Sequence, residues 1–166
     1  MPDILAYALQ LAHQLELSQL AAFFKSERWF YPAANTVHII GLAMLFGAVA
    51  PLDLRMMGFW RAVPLADLAR VLTRVAFFGA VLAILSGVLL LSVNARVYVQ
   101  SPIFWAKAGF FLFALLNAIL LRFVPAWRYL DRVDSRGTIA RFRWAGFFSL
   151  VAWLGVISCG RIYGYF

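Results

Sequence analysis

The chain predicts an all-α, polytopic membrane fold, a four-helix bundle preceded by an amphipathic N-terminal helical segment. Three observations carry this. Four apolar stretches, residues 33–54, 68–93, 104–124 and 144–164, each approach the roughly twenty residues that cross a bilayer core. Hydrophobic residues make up 64% of the chain and charged residues only 13%, outside the range of a soluble domain. The basic residues gather at the borders of the stretches, where lipid headgroups would receive them. With 166 residues, four spans and their loops consume the chain, dividing it into an interfacial segment, 1–31, and the bundle, 32–166.

Within 1–31, Ile4, Leu5, Ala8, Leu9, Leu11, Ala12 and Leu15 form an apolar stripe opposite Asp3, Gln10, His13 and Gln14. Helical periodicity with a wet face predicts a helix lying on the membrane. Ser18 is placed to cap a second short helix through about Lys25. Trp29, Phe30 and Tyr31 read as an interfacial aromatic anchor, and Pro32 suits the first turn of span one. These thirty residues lack the basic start, unbroken apolar run and small-residue cleavage site of a secretory signal. In span two, Gly79, Ala83 and Gly87 recur every fourth residue, a small-residue seam that admits another helix at close range. In span one, Gly41 lies one turn from His38, leaving room for either a helix or a flat ligand beside the imidazole.

Charge sets the expected orientation. The connection between spans one and two carries Arg55, Arg61, Arg70 and Arg74. The connection between three and four carries Arg122, Arg128, Arg132, Arg136, Arg141 and Arg143, whereas 94–103 has only Arg96. Positive-inside sorting puts both Arg-rich loops in the cytoplasm and both termini outside. It also accounts for the net charge of +8 without a nucleic-acid partner. The lipid bilayer is the expected partner, with a homo-oligomer or a larger membrane complex as further possibilities.

Polar residues inside the spans mark the candidate site, because an ionisable group there costs on the order of 3 kcal/mol. His38 lies five residues, about 7 Å, beyond Ala33. Lys107 enters span three, and Arg161 leaves span four, at a similar level below the outer face. His38 reads either as a structural imidazole bonded to a neighbouring helix or as a metal ligand, axial to haem iron. A second axial ligand would have to come from His13, on the surface helix, or from Met44. Lys107 and Arg161 either extend their charges to the headgroups or receive anions such as haem propionates. Asn117 reads as helix-to-helix glue, and Asp53, near Arg55 and beyond an expected kink at Pro51, as the partner of a cytoplasmic arginine. Cys159, the single cysteine, reads as a small packing residue. No CxxC, HExxH, phosphate-binding glycine loop or Ser/His/Asp set is present.

The run Tyr31-Pro32, Val37-His38-Ile39-Ile40-Gly41, Phe46-Gly47 and Asp53-Leu54-Arg55-Met56-Met57-Gly58 resembles a family of uncharacterised bacterial inner-membrane proteins, a domain of unknown function. Ser101-Pro102-Ile103-Phe104-Trp105-Ala106-Lys107, Leu116-Asn117-Ala118 and Gly160-Arg161-Ile162-Tyr163-Gly164-Tyr165 resemble the same family. That resemblance implies a four-helix membrane domain and no established activity. His38, Gly41 and Lys107 alone are similar to haem-binding membrane proteins of the copper-resistance D and protoporphyrinogen-oxidase type. This chain lacks the extra histidines of a dihaem cytochrome, so the similarity implies one haem site at most. The expected function is a redox-associated protein binding haem b through His38, with Lys107 and Arg161 near the propionates. The alternatives are a small-anion transporter or binding subunit using Lys107, Arg161 and Asn117, and an accessory subunit docking through the Gly79/Ala83/Gly87 seam. Whether the chain is an enzyme is left open.

Overall fold

The computed structural model describes residues 2–130 and 139–165, so Arg132 and Arg136 of the second basic loop lie outside the described residues. The described residues form eight helices and no strand. Two short helices open the chain, α1 (Pro2–Glu16) and α2 (Gln19–Ser26). Ser18 joins them as expected, its Oγ accepting from the Ala21 amide at 3.2 Å and donating to the Leu15 carbonyl at 2.6 Å.

Four long helices follow, α3 (Phe30–Met57), α4 (Leu65–Val93), α6 (Pro102–Arg122) and α8 (Ala140–Tyr163), and each is long and apolar enough to cross a membrane. They match the four predicted stretches, with ends displaced by a few residues. Helix α3 runs unbroken through Pro51 and stops where Gly58 takes a left-handed conformation at φ 109°. There the Phe59 amide returns to the Leu54 carbonyl and the Gly58 amide to the Arg55 carbonyl, satisfying two terminal acceptors. Helix α6 starts on Pro102, whose missing N–H costs nothing in a first turn. Two short elements were not expected: α5 (Ala95–Gln100), in the sparse loop, and α7 (Pro125–Arg128), after α6.

Packing is uneven around the long helices. Helix α3 packs on α4 along one side and on α8 along another, while α6 packs on α8. At the α3–α4 crossing the predicted small-residue seam is fully used. A Cβ on Gly79 would lie 2.6 Å from the Leu45 amide nitrogen, and one on Gly41 would lie 2.6 Å from the Ala83 nitrogen. Backbone meets backbone there, so the seam holds a neighbouring helix rather than a flat ligand at Gly41, and it is closed to an outside partner. Towards the Arg-rich end, Leu52, Met56, Leu65, Ala69, Leu121 and Phe142 form one apolar cluster. Midway along, Leu45, Ala114, Ala152, Trp153 and Val156 form a second, with Phe111 edge-on to Trp153 at 6.1 Å. The outward faces are also apolar, and Phe77, Phe78, Leu112 and Leu120 are exposed. A surface of that kind suits hydrocarbon surroundings.

Helix α1 docks on α5 by burying Ala12 against Ala95 and Val99. Glu16 fastens the contact, accepting from the Arg96 backbone amide at 2.9 Å and from its Nε at 2.7 Å. The two hydrogen bonds from Arg96 hold the Glu16 carboxyl below the usual carboxylate range.

Two outcomes follow from these contacts. Gly79→Leu drives a side chain into the backbone of α3 and should cost about 3 kcal/mol, the upper end of overpacking penalties, measured by unfolding in detergent. Glu16→Gln should speed hydrogen exchange in α1 at neutral pH while α3 and α4 keep their protection. The wild-type carboxylate contributes stability above its unfolded pKa and loses it as pH falls through its lowered folded value, so wild-type α1 should loosen in acid.

Candidate functional site

Helices α4 and α6 make no close contact with each other, although each packs against its own neighbour. The gap between them holds a cavity of about 450 Å³, lined by residues of all four long helices and by Tyr98 of α5. That size falls within the span of about 300–1,000 Å³ typical of small-molecule and cofactor sites. Helix α3 presents Tyr31, Asn35, His38 and Leu42 to it, a stripe at three- and four-residue spacing.

His38 is half-buried, and α4 fixes its ring. Nδ1 lies 2.9 Å from the Ala83 carbonyl oxygen and 3.1 Å from Ser86 Oγ. A carbonyl can only accept, and the Ser86 hydroxyl spends its proton on the Leu82 carbonyl at 2.5 Å. Nδ1 therefore carries the hydrogen and donates to both oxygens. In the neutral ring this leaves a lone pair on Nε2, which has no hydrogen-bond partner among the described residues. Gly87 makes the arrangement possible, since a Cβ there would lie 3.1 Å from His38 Cε1. An Nδ1–H bound to a carbonyl is the outer-shell arrangement that orients ligating histidines.

Lys107 reaches the same cavity from α6. Its ammonium lies over Gly160 of α8, where a Cβ would stand 3.4 Å from Nζ, and close to Cys159. No hydrogen bond or ion pair from Lys107 to another described residue is present. An imidazole nitrogen and an ammonium thus share one largely apolar chamber. Its rim is aromatic. Tyr98 stacks on Tyr163 at 4.7 Å and is hydrogen-bonded to Tyr31. Burial, together with the two neighbouring phenols, pushes Tyr98 up to about 12, so it stays neutral over the physiological range.

The remaining predicted residues lie elsewhere. Arg161 does not line the cavity; it is exposed, with Nη2 donating to Tyr165 Oη at 2.7 Å and the guanidinium over that ring at 4.7 Å. It follows Gly160 by one residue, which turns it about 100° around α8 from the ammonium seat. His13 is exposed on α1, next to the Ala12 that docks on α5. Met44 does not line the cavity either, its Cβ facing Gly79. Asn117 bridges helices as expected, Nδ2 donating to the Ala145 carbonyl at 3.0 Å. Asp53 is buried against Ser149 of α8, not against an arginine, while Arg55 donates from Nε to the Val63 carbonyl at 2.6 Å.

Sequence reasoning missed Ser86 and the tyrosine rim. Ser86 had a signal, a polar residue one position before Gly87 in an apolar span. Tyr31 was read only as an interfacial anchor, because nothing in the sequence places α5 beside it. Comparison of the chain with protein-family models, with curated proteins and with solved structures finds no match.

The seating of the imidazole can be tested directly. Gly87→Val should push the ring off the Ala83 carbonyl. In ¹⁵N-histidine spectra the wild type should show a protonated, hydrogen-bonded Nδ1 for His38, and the variant should lose that signature with little change in helix content.

Proposed function

We propose that this chain is a multi-pass protein of the bacterial inner membrane, a four-helix bundle that binds haem b in the cavity near its outer face. The observation that carries the reading is His38: its Nδ1–H is held by the Ala83 carbonyl, and Nε2, without a hydrogen-bond partner among the described residues, sits on a ring that lines the chamber. His38 would hold the iron through Nε2, and Lys107 would neutralise a propionate. Bound there, haem would supply one-electron chemistry or a binding position for a small molecule. The protein's part is orientation of the imidazole, exclusion of water by Phe104 and Phe111, and charge compensation at Lys107. His13 and Met44 lie away from the cavity, so His38 is the one of these three residues that would hold the group.

The orientation behind this proposal is the arginine asymmetry. Both Arg-rich connections face the cytoplasm, while α1, α2, α5 and both termini face outward. The exposed apolar faces of the long helices and the aromatic residues Trp29 and Tyr31 at the α3 entry support a bilayer setting.

Protein purified from haem-replete cells should show a Soret band, and His38→Ala should abolish it. Lys107→Ala should retain the band and weaken haem affinity by about tenfold or more, the worth of one charged hydrogen bond. A colourless, iron-free wild type overturns the reading. One feature favours a second reading: an ammonium with no acidic partner among the described residues faces an apolar chamber, which suits a lipophilic carboxylate or another small anion. Binding of a fatty-acid probe to haem-free protein, lost in Lys107→Ala and kept in His38→Ala, would select that alternative.

A further inference from the structure

Asp53 stands apart from the cavity, fifteen residues along α3 from His38, and nothing proposed above uses it. It is 3% exposed, and its carboxyl oxygen Oδ2 has no hydrogen-bond partner among the described residues. Among the described residues, its side-chain partner is Ser149. An ionised carboxylate presents about four acceptor sites, and a single hydroxyl leaves most of them unanswered. Burying such a charge without a counter-ion is among the most expensive arrangements a protein interior can hold.

Among the described residues, no counter-ion faces it. On α3 itself, Arg55 commits Nε to the Val63 carbonyl and Nη2 to the Arg61 carbonyl, at 2.6 and 3.4 Å. On α8, Arg141 and Arg143 are exposed, and the groups facing Asp53 are Ser149 and the bare backbone of Gly146. Helix α4 brings apolar Leu65 and Ala69 to this end, and Asn117 of α6 is committed to the Ala145 carbonyl. Nor is there a set of oxygen ligands for a metal cation: no group of three or more His, Cys, Asp or Glu is found among the described residues.

We infer that Asp53 is a proton-binding site, occupied as the neutral acid where α3 crosses α8. The crossing is tight there, since a Cβ on Gly146 would lie 2.6 Å from the Asp53 carbonyl oxygen. Releasing the proton converts the acid to carboxylate plus a free proton, with no other bond changed. The new charge then demands water, which can reach it only if α8 lifts from α3. Proton occupancy and closure of this crossing are therefore coupled, and the site lies at the Arg-rich end of the helices, opposite the cavity.

Infrared spectroscopy of protein labelled with [4-¹³C]aspartate reads the protonation state without needing access to the side chain. At neutral pH the wild type should show one carboxylic-acid C=O stretch that shifts with the label, and Asp53→Asn should lack it. The midpoint of thermal unfolding should fall as pH rises from the ordinary carboxylate range to the pH at which this band fades, and level off beyond it, because over that interval the unfolded chain releases this proton and the folded one holds it. Asp53→Asn, an isosteric stand-in for the neutral acid, should have a midpoint that does not respond over the same pH range. Absence of a label-sensitive acid band at neutral pH overturns the inference, as does a folded Asp53→Asn whose midpoint falls over that same interval as the wild type's does. Should Asp53→Asn not fold, the wild-type band alone decides. Haem content is irrelevant to each readout, so failure here and failure of the haem reading are distinguishable.

Discussion

The backbone contact between α3 and α4 at Gly41, Gly79 and Ala83 sets the geometry of everything above it. Two helices that touch through their main chains lie closer than side chains allow. Only at that separation does an imidazole on α3 reach a carbonyl on α4 rather than stop against a side chain. The same closeness requires the missing side chain at Gly87, one turn beyond Ala83, where the ring edge rests. A seam that reads in sequence as a packing motif is thus also what selects the tautomer of His38.

The opposite arrangement holds between α4 and α6, which stay apart and leave the chamber between them. Helix α6 has the least buried apolar window of the four, 6%, so it contributes little to the core while delivering Lys107. A closed ring of four mutually packed helices would have no such chamber. Lys107 is partly buried, and its head lies over the small residue Gly160, which leaves space for a group of opposite charge beside it. An ammonium and a free imidazole nitrogen in one apolar volume can together discriminate among ligands by shape, by coordination and by charge.

Much of this was legible in the chain. Hydropathy located all four long helices, because length and apolarity are properties of the segment alone. Helical rise then placed His38 and Lys107 at a common level, and the structure brings both to the cavity. The same arithmetic placed Arg161 there and could not reveal that it faces away, because depth follows from counting whereas azimuth follows from packing. Asp53 shows the same limit. Its burial was foreseeable from an apolar span, but Ser149 lies 96 residues away and only the crossing of α3 with α8 joins them. Helix α5 escaped notice because six residues are too few for a periodicity to register.

One feature of α3 links its two ends. Pro51 has no amide hydrogen to offer the Gly47 carbonyl, so the helix loses a rung of its ladder between the imidazole and the buried acid. A rod with one weakened rung flexes there first. Were α8 to separate from the segment beyond Pro51, as ionisation of Asp53 would require, the bend would fall at that joint and spare the glycine contact with α4. The proline acts as a mechanical fuse: each end of the same helix can hold its own chemistry, and a disturbance at one need not reach the other.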